Sequence, residues 1–169
     1  MDVVKTFGEA IEKKVPRDPD GARKLLLAGY RAQALALRVH PNGELPPSKE
    51  YAAKIVMDMI VRVLSHPESA AMVSLFVPCE PLFAAGLTPY SVETLSGYLA
   101  GTDCENVFLD AASAKGIPET LCSFHRIFLG AAETGLMPPP LLMVYTNLAC
   151  DGNMITFPYL KRKLSIPSY

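Results

Sequence analysis

A chain of 169 residues, 50% of them hydrophobic, carries enough apolar material for one buried core and sits close to the usual single-domain size of roughly 100–150 residues. Sixteen Lys and Arg against seventeen Asp and Glu leave a net charge of -1, which excludes a global basic field that would attract nucleic acid or an acidic membrane face. The longest apolar runs, Ala70 to Val77 and Leu141 to Val144, fall far short of the about 20 residues that cross a bilayer. The opening, Met1-Asp2 followed by Lys5, Glu9, Glu12 and Lys13, lacks the apolar core of a secretion signal, so a cytoplasmic protein is expected.

In chain order, Val4, Phe7, Ala10 and Ile11 recur at helical spacing and predict a short amphipathic helix over 3–15 that Pro16 stops. A second helix is expected from the acids Asp18 and Asp20 through Leu25, Leu26, Ala32, Leu35 and Leu37 to about His40, with a turn at Pro41, Asn42 and Gly43. A third begins at Ser48, read as its N-cap, and runs with the apolar stripe Ala52, Ile55, Val56, Met59, Ile60, Val63 and Leu64 to His66 and Pro67.

Beyond that point the grammar changes. Ala71 to Val77 reads as a strand, followed by a turn at Pro78, Cys79 and Glu80 and a short helical segment closing at Gly86. A strand over 87–92, a helix over 93–99, a helix over 106–115 ended by Gly116, and a helix over 123–134 follow, until Pro138, Pro139 and Pro140 break the chain. Leu141 to Tyr145 reads as a buried strand, 147–150 as its exit loop, Asp151 onward as a helix, and 166–169 as the opening of another strand. Strands alternating with helices predict an α/β fold, a parallel sheet flanked by helices (a Rossmann-like half) preceded by N-terminal helices. The expected division is a helical segment over 1–66 and an α/β domain over 67–169, together forming one compact unit. In such folds ligands collect at the carboxyl ends of strands, where Cys79 and Cys150 both fall.

Four cysteines in a chain read as cytoplasmic are thiols or metal ligands rather than disulfides. Cys122 opens Cys-Ser-Phe-His-Arg at a helix start, and Cys150 opens Cys-Asp-Gly-Asn after a strand, 28 residues later. A helix N-terminus offers free N–H groups and a positive dipole end, which stabilise a thiolate or an anionic cluster bound to it. Spacing alone leaves the choice open, because neither cysteine belongs to a Cys-x-x-Cys pair and buried free cysteines are common.

His125 shares a helix face with Cys122 and reads as a hydrogen-bonded structural histidine, with a ligand or base role as the alternative. Arg126 has the chemistry to meet a phosphate, though surface arginines are common. Glu80 and Asp151 read as helix caps. Lys161, Arg162 and Lys163 read as a solvated helix end. No Gly-x-Gly-x-x-Gly or Walker pattern occurs, so no ATPase activity of its own is expected.

Pro78-Cys79-Glu80, Ala84-Ala85-Gly86-Leu87-Thr88-Pro89, Leu121-Cys122-Ser123 and Ala149-Cys150-Asp151-Gly152 stand in an order and spacing that resembles the 2-hydroxyacyl-CoA dehydratase and benzoyl-CoA reductase subunit family, over about residues 50–169. The resemblance implies that Cys122 and Cys150 are two ligands of a 4Fe-4S cluster. The third cysteine comes from a second α/β domain into which family members continue. It gives Cys79 and Cys104 no ligand role.

The resemblance further implies a lyase that removes water from a 2-hydroxyacyl-CoA thioester through a ketyl radical. An ATP-dependent activator protein supplies one electron, and a second dehydratase subunit completes a heterodimer. With three thiolates on four irons, one iron stays open as a Lewis acid toward the thioester oxygens. A benzoyl-CoA reductase-type subunit and a non-catalytic binding or assembly module without a cluster remain the alternatives.

Overall fold

The computed structural model describes residues 2–40, 46–148 and 150–169. Three helices open the chain. α1 (Val3–Lys14) starts where the Asp2 carboxylate accepts from the backbone N–H groups of Val4 and Lys5, at 3.0 and 3.3 Å. α2 (Pro19–Val39) starts in the same way at Asp18, which accepts from Gly21 at 2.8 Å, with a proline at the first helical position.

α3 (Pro47–Ser65) departs from expectation. Its N-cap is Pro46 and no side chain caps it, so Ser48 lies inside the first turn rather than ahead of it. Proline's fixed φ at the first helical position supplies the start that a serine hydroxyl was expected to give. The turn expected at Pro41, Asn42 and Gly43 lies outside the described residues.

A short 3-10 turn at Pro67–Ser69 leads into β1 (Ala70–Val73), α4 (Glu80–Ala84), β2 (Thr88–Ser91), α5 (Val92–Gly101), α6 (Asn106–Ala114), α7 (Ser123–Thr134), β3 (Leu142–Val144) and α8 (Asn153–Leu164). The three strands form a parallel sheet in the order β2-β1-β3, with Met72 opposite both Tyr90 and Met143. All four residues of β1 are buried, as a central parallel strand covered on both faces requires. The chain's last residues add a parallel bridge beside β3, where Met143 N–H donates to the Pro167 carbonyl at 2.9 Å and Tyr169 N–H donates to the Met143 carbonyl at 3.0 Å.

The first strand is shorter than the run Ala71 to Val77 predicts. Ser74 N–H still donates to the Val144 carbonyl at 3.2 Å, but the chain then turns through Phe76 at φ 68°, and Leu75 and Phe76 are exposed. Apolar composition made the strand look longer because the same residues that suit a buried strand here form an exposed rim.

α3 packs on β2, α5 packs on β2 and α7, and α7 packs on α6 and α8. One continuous core joins Ile11 of α1 and Leu26 of α2, through Met72 and Met143 of the sheet, to Phe108, Phe128 and Phe157 of α6, α7 and α8. The result is an α/β fold, a parallel sheet flanked by helices.

Candidate functional site

The carboxyl ends of the parallel strands are tied together before any cysteine is reached. Thr146 N–H donates to Ser74 Oγ at 2.9 Å, and Ser74 O–H donates back to the Thr146 carbonyl at 3.3 Å, closing the end of β1 against the exit of β3. Buried Asn153, the first residue of α8, donates Nδ2–H to the same carbonyl at 3.1 Å. These bonds anchor Thr146 after β3 and Asn153 at the start of α8, and Cys150 lies in the sequence between them.

Cys150 Sγ stands 3.3 Å from His125 Nε2. His125 is fully buried in the first turn of α7, and its Nδ1 is 2.8 Å from the hydroxyl of Thr156 on α8. Glu93, in the first turn of α5, brings Oε1 to 3.8 Å from the same Nε2, while its Oε2 is buried without a hydrogen-bond partner. Burial holds the imidazole below its ordinary value of 6.5, with the Glu93 carboxylate pulling the other way.

Gly152 makes this arrangement possible. A Cβ at that position would lie 2.8 Å from both Cδ2 and Nε2 of the His125 ring, so any other residue would push the imidazole away from Cys150.

Cys122 is the exposed N-cap residue of α7, with no cap hydrogen bond from its side chain. His125 follows it by about one helical turn, so the backbone brings Cys122 and Cys150 to the same end of α7. The other two thiols stand apart from this cluster. Cys79 donates to the Val77 carbonyl at 3.3 Å, and burial raises its pKa. Cys104 is fully buried against the Leu99 carbonyl and the Thr102 hydroxyl, and burial pushes its thiol up to about 11. Among the described residues no group of three Cys, His, Asp or Glu gathers in metal-binding geometry.

Two helix starts do not match the capping expectation. The residues ahead of α4 and α8 are Cys79 and Gly152, and neither helix receives a side-chain cap bond, so Glu80 and Asp151 do not cap. Arg126 donates to the Ser113 hydroxyl at 2.7 Å, which joins α7 to α6. Lys163 is not simply a solvated helix end, because its ammonium lies 3.0 Å from the Glu133 carboxylate.

The surroundings are apolar. Phe76 after β1, Phe83 on α4, Phe124 on α7, Leu148 after β3 and Met154 and Ile155 on α8 are all exposed at this end of the sheet. A cavity of about 910 Å³ opens between α1, α2 and α5, and its wall includes Glu93 and Phe124. Sequence reasoning missed Glu93 and Thr156, and the close approach of Gly152 to the His125 ring, because these contacts join distant segments that no local spacing encodes.

No curated protein and no solved structure matches the chain. One family model does match, that of the 2-hydroxyglutaryl-CoA dehydratase D-component, over residues 74–169, beginning later than the residue 50 at which the resemblance was expected to start. That stretch holds β2, β3, α4 to α8 and every residue of the Cys150–His125 cluster, and by it the chain belongs to the 2-hydroxyglutaryl-CoA dehydratase D-component family.

Proposed function

We propose that this chain is a subunit of an iron-sulfur 2-hydroxyacyl-CoA dehydratase in which Cys122 and Cys150 supply two thiolate ligands to a 4Fe-4S cluster. The observation that carries this reading is the placing of both thiols at the N-terminal end of α7, one exposed and one held beside a buried imidazole. Helix N-termini favour anionic thiolates and the negative cluster they bind. The donor chemistry therefore fits, and it fits two ligand positions; the third thiolate comes from beyond the described residues or from another chain.

When bound, the cluster supplies one-electron and Lewis-acid chemistry to a 2-hydroxyacyl-CoA thioester, with the electron delivered by an ATP-dependent activator protein. The chain's own residues do the rest. Ser74 and Asn153 hold the exit of β3, Gly152 and His125 set the position of Cys150, and the exposed apolar rim excludes water once a second subunit covers it. The apolar cavity beside Glu93 supports an acyl substrate.

Two thiolates alone leave a second reading in play, a binding or assembly module that keeps the fold and carries the cysteines as plain thiols. Iron and acid-labile sulfide, measured on protein purified without oxygen, separate the two. The dehydratase reading expects both elements in the wild type and their loss in Cys122→Ala and in Cys150→Ala. A wild type that stays empty after reconstitution in the presence of the partner subunit leaves only the module.

A further inference from the structure

The geometry points to His125 as a positioning residue that donates its Nε2–H to the sulfur of Cys150, with the Thr156 hydroxyl holding the imidazole in the tautomer that makes this donation possible. The inference deepens the proposed ligand role of Cys150 and names what sets the direction and electron density of that sulfur.

The direction of the hydrogen bond follows from the groups around the ring. His125 has no exposed surface, so each ring nitrogen must find its partner inside the protein. Nδ1 meets Thr156 Oγ1 at 2.8 Å and Nε2 meets Cys150 Sγ at 3.3 Å. A ring that carries one proton donates from one nitrogen and accepts at the other. The Glu93 carboxylate, 3.8 Å from Nε2 and with one oxygen unpartnered, decides between them. A bare lone pair on Nε2 would face that negative charge, whereas a protonated Nε2 that donates to the sulfur puts positive charge near it. The proton therefore sits on Nε2, Thr156 donates its hydroxyl proton to Nδ1, and the sulfur accepts.

The three elements that carry these groups are independent parts of the fold: α5 brings Glu93, α7 brings His125 and α8 brings Thr156. Gly152 lets the ring approach. A hydrogen bond to a ligating sulfur withdraws electron density from it and raises the potential of the iron it holds.

The test begins on the whole chain without metal, labelled with 15N-histidine. His40 and His66 are exposed, so their ring protons exchange rapidly, and a persistent ring N–H belongs to His125. The expected signal is an Nε2–H that shifts on Cys150→Ser and stays in place on Cys122→Ser. Thr156→Val, nearly isosteric, is expected to speed its exchange with water about tenfold, the scale of one net hydrogen bond, and Thr156→Ser to restore it. A proton found on Nδ1, or an Nε2–H indifferent to Cys150→Ser, overturns the proposal.

On reconstituted protein, Thr156→Val is expected to move the cluster's midpoint potential in the negative direction. An unmoved potential removes the tuning role. Because the first measurement needs no iron, a chain that never binds a cluster can still show the His125–Cys150 hydrogen bond, and the two readings fail separately.

Discussion

Glu133 gives the clearest residue-scale dependence on pH. Its carboxylate is only 7% exposed and is held by the Tyr159 hydroxyl at 2.8 Å, Lys163 at 3.0 Å and Lys115 at 3.4 Å. Burial is the largest single influence and raises its pKa, but the hydrogen bonds from Tyr159, Lys163 and Lys115, with the charge of Lys163, together outweigh it and leave the group below its ordinary 4.5. The folded chain thus resists a proton that the unfolded chain takes up at 4.5, so the clamp's stabilisation is complete above that pH and is lost as pH falls through the folded value. Urea midpoints measured from pH 7 to pH 3 should decline below 4.5 in the wild type and flatten in Glu133→Gln, which at neutral pH should be less stable by about 2 kcal/mol. An unchanged acid limb in the variant would show that Glu133 is not the group responsible. Nothing local in the sequence announces this clamp, because Lys115, Glu133 and Tyr159 belong to three different segments, whereas a cap such as Asp18 was legible from its own neighbours.

Elements were legible where the chain carries its own stop signals. Gly116 and Gly135, at φ 75° and 78°, end α6 and α7 where a left-handed residue is needed, and both helices match the sequence reading closely. The way these two helices meet was not legible. Gly130, in the middle of α7, looks like a flaw in a helix but faces the backbone carbonyl of Phe108 in α6, and a Cβ there would overlap that carbonyl. Backbone atoms on a helix cannot step aside as a side-chain tip does, so Gly130→Ala must prise α6 from α7 and disturb Phe108 and Phe128, both fully buried. The expected cost is about 3 kcal/mol, read as a fall in Tm of about 10 °C, even though alanine is the better helix former. A variant as stable as the wild type would mean that the two helices do not approach this closely in solution. Strand β1 was misread for a related reason: its end is set by the Ser74–Thr146 pairing across 72 residues, not by where its apolar run stops.

At the scale of the molecule, the question is whether α1 to α3, which lie ahead of the family match, are a separate unit or part of the same cooperative fold. The core speaks for one unit, because Ile11 and Leu26 share a cluster with Phe108 and Met143. A Cβ on Gly8 of α1 would strike the carbonyls of Thr102 and Asp103, so the α1 backbone lies directly over the segment that leads to Cys104. Cys104 is therefore a natural reporter: it is fully buried, and detachment of α1 would uncover it while the sheet stayed folded. Labelling of Cys104 by a thiol reagent, resolved by mass spectrometry and followed against urea, should have the same midpoint as the loss of helical circular dichroism. Both signals should also shift together in a destabilised background such as Gly130→Ala, since a single transition has one free energy. Labelling at urea concentrations well below the dichroism midpoint would show α1 peeling away on its own, and would make the N-terminal helices an appendage to the 74–169 region rather than a wall of its core.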